Sequence, residues 1–165
     1  MRSIQEAYAV PGKGLEGDRY FLGTGHFSRH HGPSYEVTLI EKETIDALNE
    51  EFEDVHLHPG DARRNIVTRG VPLNHLVSHV FQMGEVTLRG IRLCDPCLHI
   101  AKLTHPNVLA ALIHRGGLRA QILTEGTIRV GDLIADLREE QIAAIPGDNE
   151  NDLLESALPS MNAHV

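Results

Sequence analysis

The chain has 165 residues, which is close to the usual size of one domain and long enough to bury a single core. Its formal net charge of −8 argues against non-specific binding of nucleic acid, which relies on a basic surface. No segment approaches the roughly 20 apolar residues that span a bilayer, and the first residues lack the apolar core of a signal peptide. We therefore expect a cytoplasmic protein that binds neither nucleic acid nor a membrane.

Short strands dominate the pattern of the chain. Alternating or β-branched runs predict strands over Ser3–Val10, Tyr35–Ile40, Asn65–Thr68, His79–Met83, Glu85–Leu93, Leu118–Thr124 and Thr127–Leu137. Glycine-containing turns separate these runs, and short strands with frequent turns between them are typical of a barrel or a sandwich. Gly90 and Gly131 fall inside strand patterns, where glycine often marks a bulge or a close backbone approach.

Two helical patterns interrupt the strands, at Glu41–Phe52 and at about Pro106–His114. The chain becomes acidic after Leu137, and Leu153, Leu154 and Leu158 mark a short helix-like segment in this tail. We predict a mainly β (α+β) barrel of short, mostly antiparallel strands with a few packed helices over residues 1–137. Residues 138–165 are predicted to form a mobile tail.

The only two cysteines lie in Cys94-Asp95-Pro96-Cys97, between an apolar alternating run and a helix-like one. A thiolate is the nucleophile and metal ligand, and a strand-to-helix junction supplies N–H groups and a helix dipole that favour it. Cys97 is the better placed of the two for chemistry. Cys94 ends an apolar strand and is predicted to belong to the core.

Arginine supplies 12 of the 15 basic residues, and its planar fork binds phosphate or carboxylate at two points. Clusters occur at Asp18-Arg19, at Arg63-Arg64-Asn65 and at Arg115 to Arg119. Each cluster is a candidate anion-binding site. The residues of the first are equally typical of a tight turn, and those of the last are equally typical of a helix end. The 11 histidines lack the spacing that completes a tetrahedral zinc site, so no zinc is expected.

Four segments, in this order, resemble the MOSC family, the domain found at the C-terminus of molybdenum-cofactor sulfurases and in stand-alone bacterial proteins. The resemblance covers about residues 14–135. It rests on Gly14-Leu15-Glu16-Gly17-Asp18-Arg19, Ala62-Arg63-Arg64-Asn65-Ile66, Pro96-Cys97 and Ile128-Arg129-Val130-Gly131-Asp132. It implies a barrel-like fold with a cleft for the molybdenum cofactor, a pterin that bears a dithiolene and a phosphate.

The resemblance also implies roles for individual residues. The family cysteine corresponds to Cys97, which would ligate molybdenum or carry a persulfide sulfur. From their position just past this cysteine, we also expect His99 and Lys102 to stabilise its thiolate. The residues expected to hold the cofactor are Asp18, Arg19, Arg63, Arg64, Asn65, Arg115 and Arg119. In sulfurase relatives, this domain receives sulfur from a pyridoxal-phosphate-dependent desulfurase domain. Other members reduce N-hydroxylated bases together with redox partners. The resemblance does not decide whether this chain catalyses a reaction alone.

Two other interpretations stay open. The Cys-x-x-Cys pair permits a dithiol redox protein, although such proteins place it in a βαβ unit rather than after closely spaced strands. A barrel that only docks a partner would leave the arginines scattered over its surface. Convergence of Arg63, Arg64 and Cys97 on one cleft would favour cofactor binding, and a Cys94–Cys97 disulfide would favour the dithiol interpretation.

Overall fold

The computed structural model describes residues 3–26, 28–30, 32–143 and 145. Its strands are β1 (Glu6–Val10), β2 (Gly14–Leu15), β3 (Val37–Glu41), β4 (Ile66–Thr68), β5 (Val80–Met83), β6 (Val86–Leu93), β7 (Leu118–Ile122), β8 (Gly126–Arg129) and β9 (Ile134–Asp136). Its α-helices are α1 (Lys42–Glu51), α2 (Leu98–Leu103), α3 (Val108–Ala111) and α4 (Glu139–Ile142). Single 3₁₀ turns lie at Pro33–Tyr35 and Leu73–Leu76.

The strands form two sheets that curl around a shared core. The smaller sheet has the order β2-β1-β8, and the larger has the order β4-β3-β7-β6-β5-β9. All named pairs are antiparallel except β3 with β4. Buried side chains from both sheets, including Ala9, Ile128, Leu39, Phe81 and Leu88, meet in this core. The result is the mostly antiparallel, barrel-like fold that the sequence predicts.

A second core lies beneath the helices. Ile45 and Leu48 of α1, Ile100 of α2 and Val108 of α3 are buried together there. Cys97 is partly buried and packs against this cluster. The helices therefore cover one side of the larger sheet and fix the segment that carries Cys97.

Most predicted strands are present with shifted ends, but the prediction for Thr127–Leu137 is wrong. This run divides into β8, which pairs with β1, and β9, which pairs with β5 in the other sheet. Gly131 has a φ of 96° and lies in the turn between them, so it is not a glycine within a strand. The indication at Gly90 is confirmed, because the β6–β7 register shifts there and an added Cβ would lie 1.9 Å from the Leu76 carbonyl oxygen.

The helix predicted over Glu41–Phe52 is present as α1, but the others differ from expectation. The pattern at Pro106–His114 yields only the four residues of α3, and His114 has a positive φ of 62° that interrupts any helical continuation. The sequence does not predict α2, because Ile100 is its only buried residue and Leu98 and Leu103 are exposed. A helix of this kind has no apolar stripe to recognise.

Strand β9 ends at Asp136, and α4 follows it directly. The proposed boundary after residue 137 stays a prediction, and the segment that contains Leu153, Leu154 and Leu158 lies outside the described residues. Within the described ranges, every helix is too short or too polar to cross a membrane.

Candidate functional site

A cleft of about 310 Å³ opens where the loop after β2, the loop before β4 and the junction of β6 with α2 come together. Basic and sulfur-bearing side chains from all of these segments line it. They include Arg19, Arg63, Arg64, Arg92, Arg119, Asn65, Cys94, Cys97 and His99. Asp95 is the only acidic residue among the described residues of its lining, so the cleft concentrates positive charge on a chain whose net charge is −8.

The two cysteines have different environments. Cys97 is partly exposed and precedes α2, where its carbonyl oxygen accepts the N–H of Ile100 at 3.1 Å. Cys94 is only 2% exposed, which confirms its predicted place in the core. Both are free thiols.

Arg64 is enclosed by backbone. It is 8% exposed, and its guanidinium donates to the carbonyl oxygens of Gly116 at 2.9 Å, Ala62 at 3.1 Å and Cys94 at 3.4 Å. This arrangement, which we call the Arg64 clasp, joins the loop before β4 to the cysteine segment and to the start of β7. Although Arg64 lies on the cleft, most of its hydrogen-bonding capacity is used by the fold.

Arg63 and Arg119 differ from Arg64, because each has a buried Nε with no hydrogen-bond partner in the described part of the chain. Arg63 adopts a positive φ of 60°. The Arg119 guanidinium carbon lies 5.2 Å from the centre of the Tyr35 ring, and its Nη1 donates to the Ser34 carbonyl oxygen at 3.1 Å. Unpaired buried donors cost free energy until an acceptor satisfies them.

Arg119 also lies directly opposite Arg92 in the register of β6 and β7, just beyond the shift at Gly90. Like charges that face each other across two strands destabilise a sheet unless an anion lies between them. Arg92 makes a 3.3 Å ion pair with Asp95 at the cleft edge. The pair of arginines therefore adds to the positive potential of the cleft.

His99 lies on the cleft and stacks on His26, with ring centroids 4.2 Å apart and the rings almost parallel. Desolvation lowers the pKa of His99, and the nearby charges of His26 and Arg63 lower it further. Arg19 and Lys102 act in the same direction. The surroundings therefore favour the neutral imidazole.

The structure brings most, but not all, of the predicted residues together. Lys102 influences His99 but is not part of the cleft lining. The Asp18 carboxylate accepts the backbone N–H of Tyr20 at 2.9 Å within its turn and also lies off the lining. Arg115 forms an ion pair with Glu51 and donates to the Ala111 carbonyl oxygen, away from the cleft.

Asn65 lines the cleft, but its side chain is used within the fold. Its Oδ1 accepts the Thr38 backbone N–H at 3.0 Å and the Thr38 hydroxyl at 2.8 Å. Sequence reasoning missed Arg92, Tyr20, Tyr35 and His26 as members of the cleft. The position of Arg92 depends on a strand register that no local pattern reveals, whereas the polar aromatic residues of the loop after β2 offered a weak signal.

Histidine, cysteine and carboxylate side chains are not gathered into a metal site by the described residues, where no three of them are placed to hold an ion.

The fold has counterparts among solved structures. The YUAD protein from Bacillus subtilis matches with a TM-score of 0.68 and 14% identity, over 81% of this chain and 85% of that one. YiiM from Escherichia coli matches with a TM-score of 0.63 and 16% identity, over 84% of this chain and 65% of that one. YiiM from Geobacillus stearothermophilus matches with a TM-score of 0.59 and 16% identity, over 65% and 56%.

At these identities the likeness shows the fold alone, and the chain spans less than two thirds of the length of either YiiM protein. No curated protein matches the sequence significantly. The family model of the MOSC domain matches residues 26–135, which is well over half of the chain and includes strands β3 to β8, the Arg64 clasp and Cys97. The chain belongs to the MOSC domain family, which is associated with the molybdenum cofactor.

Proposed function

We propose that this protein binds the molybdenum cofactor in the arginine-lined cleft and offers the Cys97 thiolate as a ligand to the metal. The observation that carries the proposal is the pair of buried Nε groups on Arg63 and Arg119, which have no partner in the described residues and border the same cleft as Cys97. An anionic group in the cleft would satisfy both donors.

The chemistry of the cofactor fits this wall. Its phosphate is a multidentate acceptor, and arginine forks bind phosphate through paired, charge-assisted hydrogen bonds. Arg63 and Arg119 would supply the buried donors, while Arg19 and Arg92 would add charge at the cleft edge. Placing an anion between Arg92 and Arg119 would also remove the repulsion between these facing strand residues.

Cys97 supplies the soft ligand that such a metal prefers. It is the more exposed member of the cysteine pair, and it precedes α2 and packs against the second core. The neutral imidazole of His99 can donate or accept a hydrogen bond beside it, and Lys102 would contribute positive charge from just outside the lining. When bound, the cofactor would supply a redox-active metal centre.

A persulfide role for Cys97 uses the same geometry. The Cys97 thiolate would attack the terminal sulfur of a persulfide on a cysteine desulfurase, so that an S–S bond forms on Cys97 as the donor S–S bond breaks. The donor thiolate would leave, so that Cys97 is oxidised to a persulfide as the donor cysteine is reduced and no external oxidant is needed.

The test is anaerobic incubation of the full chain with isolated molybdenum cofactor, followed by gel filtration and measurement of retained molybdenum and pterin fluorescence. Cys97→Ser should lose most of the molybdenum, and Arg63→Met should lose both signals because the phosphate contact is removed. Cys94→Ser is the matched control and should retain both. Arg115→Gln should also bind normally, since Arg115 lies away from the cleft.

Retention that is equal in the wild type and in Cys97→Ser would contradict ligation by this thiol. Absence of retention by the wild type and by every variant would contradict cofactor binding as a whole. Incubation with a sulfur-loaded desulfurase, followed by cyanolysis, distinguishes the persulfide role: sulfur released from the wild type but not from Cys97→Ser would support it.

A further inference from the structure

A second, smaller pocket of about 60 Å³ lies beside the cleft. Tyr20, His30 and Tyr35 line both spaces and form the wall between them. The two spaces differ in charge, because the larger is dominated by arginine whereas the smaller contains the carboxylate of Glu36. A ligand in the cleft could therefore extend one small group into a pocket of different polarity.

Glu36 is an unusual residue for this position. It is 9% exposed, and no basic side chain forms an ion pair with it in the described part of the chain. Its Oε2 accepts the backbone N–H of Gly12 at 3.1 Å and that of Ile122 at 3.0 Å. Both donors bind the same oxygen, so Oε1 is left without a donor among the described residues.

Burial raises the pKa of Glu36, and the bonds from Ile122 and Gly12 oppose this change. A buried carboxylate without a counter-ion costs free energy. Through Oε2 alone, Glu36 already links β7 to the turn after β1, so this structural role does not use Oε1. The free oxygen is therefore available to a ligand.

Two further groups give the pocket its polarity. Ser28 lines it, and the Ser28 hydroxyl oxygen is buried without a hydrogen-bond partner in the described residues. Lys13 also lines the pocket and is exposed, so its ammonium group can approach from the rim. The pocket thus combines a carboxylate acceptor, an unsatisfied hydroxyl and a cationic donor.

We propose that this Glu36 pocket binds a small planar group that carries an N–H donor beside a carbonyl-type acceptor, of which a primary amide is the simplest example. The N–H₂ would donate to Glu36 and Ser28, and the acceptor would face Lys13. The volume suits such a group, because a cavity of roughly 150 Å³ is needed to hold a whole benzene ring. An attached ring would remain in the larger cleft against Tyr20 and Tyr35.

The position of the pocket gives it a role as the substrate-recognition part of the site. This role rests on the proposed function, since it assumes that chemistry occurs in the adjoining cleft. Binding of the amide group itself does not depend on that function, because Glu36, Ser28 and Lys13 all belong to the smaller pocket.

The experiment compares benzamide with acetophenone on the full chain without cofactor, by NMR titration. The two probes share a ring and a carbonyl group and differ only in NH₂ against CH₃. We expect benzamide to bind more tightly to the wild type, and Glu36→Gln to lower its affinity by about 10-fold or more, the effect of losing a hydrogen bond to a charged acceptor. Glu36→Gln keeps one side-chain oxygen for Gly12 and Ile122, and acetophenone binding should be unchanged.

Three further variants complete the test. Ser28→Ala should weaken benzamide selectively, and it remains informative if Glu36→Gln fails to fold. Lys13→Met should weaken both probes, because both carry the carbonyl group. Glu85→Gln is the matched control: Glu85 likewise accepts a backbone N–H, from Thr127 at 3.2 Å, but lies outside both pockets.

Equal affinities for benzamide and acetophenone, or undetectable binding of both, would overturn the assignment. So would an unchanged preference for benzamide in both Glu36→Gln and Ser28→Ala. These results are independent of cofactor retention, which is measured on Cys97→Ser and Arg63→Met. A failure of the Glu36 pocket is therefore distinguishable from a failure of the proposed function.

Discussion

The Arg64 clasp and the cleft wall beside it contain the same residue type in opposite states. In the clasp, Arg64 donates to three backbone carbonyl oxygens. On the wall, the preceding residue Arg63 has a buried Nε that no described residue satisfies. Of these two consecutive arginines, Arg64 stabilises the fold and Arg63 lines the cleft. Residue type alone does not indicate which arginine has which role.

The cysteines repeat this division over three residues. The Cys94 carbonyl oxygen belongs to the clasp and its thiol is buried, whereas Cys97 is partly exposed on the cleft. The clasp therefore fixes the backbone just before Cys97. Saturated hydrogen bonding in one region gives the neighbouring region a rigid support on which unsatisfied donors can be held.

Removing the Arg64 side chain should have the largest effect on stability. Arg64→Met leaves three carbonyl oxygens without this donor inside the protein, so we expect the free energy of unfolding to fall by about 3 kcal/mol or more. Arg63→Met removes a donor that has no partner, and should change stability by less than about 0.5 kcal/mol. Urea denaturation of both variants measures the difference. If the two variants lose similar amounts of free energy of unfolding, Arg64 and Arg63 do not differ in how much they stabilise the fold.

A smaller disturbance of the clasp should come from Gly116→Ala. A Cβ at Gly116 would lie 2.1 Å from the Cys94 carbonyl oxygen, which also accepts from Arg64. Overpacking against backbone costs about 1–3 kcal/mol, so the cysteine segment must shift. We expect a lower melting temperature and an altered rate of Cys97 alkylation by iodoacetamide in the folded protein.

Gly131→Ala is the control for that experiment. Gly131 has a positive φ of 96°, which an alanine would strain, but no atom lies within 4 Å of an added Cβ. It should lose stability while Cys97 alkylates at the wild-type rate. If both variants alkylate alike, Gly116 does not position the cysteine segment.

The parts of this molecule that local pattern encodes were predictable from the sequence. Alternation along β6 and the stripe of Ile45 and Leu48 on α1 identified those elements, because apolar residues recur there with the period of a strand and of a helix. The division of Thr127–Leu137 between two sheets was not predictable, since it depends on which distant strands, β1 and β5, each half meets. Helix α2 was missed because it buries almost nothing.

The candidate site divides in the same way. Arg63, Arg64 and Cys97 were identified because they lie in short motifs, and all three border one cleft. Arg92 was missed because its relation to Arg119 exists only through the register of β6 and β7. Arg115 was included because it lies near a helix end, but Glu51, 64 residues earlier in the chain, holds it elsewhere. Glu36 gave no signal, since a single acid beside a strand is ordinary until its burial is known.

The contrast between satisfied and unsatisfied groups occurs within one side chain at Glu36, where Oε2 is bonded and Oε1 is not. Burial raises the pKa of Glu36 above its ordinary value of 4.5, so the folded protein binds this proton more readily than the unfolded chain does. Stability from this group is therefore greatest below 4.5 and is lost as the pH rises through the raised pKa. Relative to Glu36→Gln, the wild type should lose free energy of unfolding between mildly acidic and neutral pH.

Glu85 is the comparison for Glu36, because its pKa is shifted in the opposite direction. Hydrogen bonds from Arg129 and Thr127 lower the pKa of this exposed carboxyl, so the unfolded chain binds the proton more readily. Relative to Glu85→Gln, the wild type should therefore gain stability as the pH rises toward 4.5 and keep it above that value. Urea denaturation of the three proteins at several pH values isolates the two groups, because all other carboxylates are shared. If the free energy of unfolding changes with pH in the same direction for both groups, Glu36 is not held in a poorly solvated pocket. Water would then bind the Oε1 atom that we assign to the ligand.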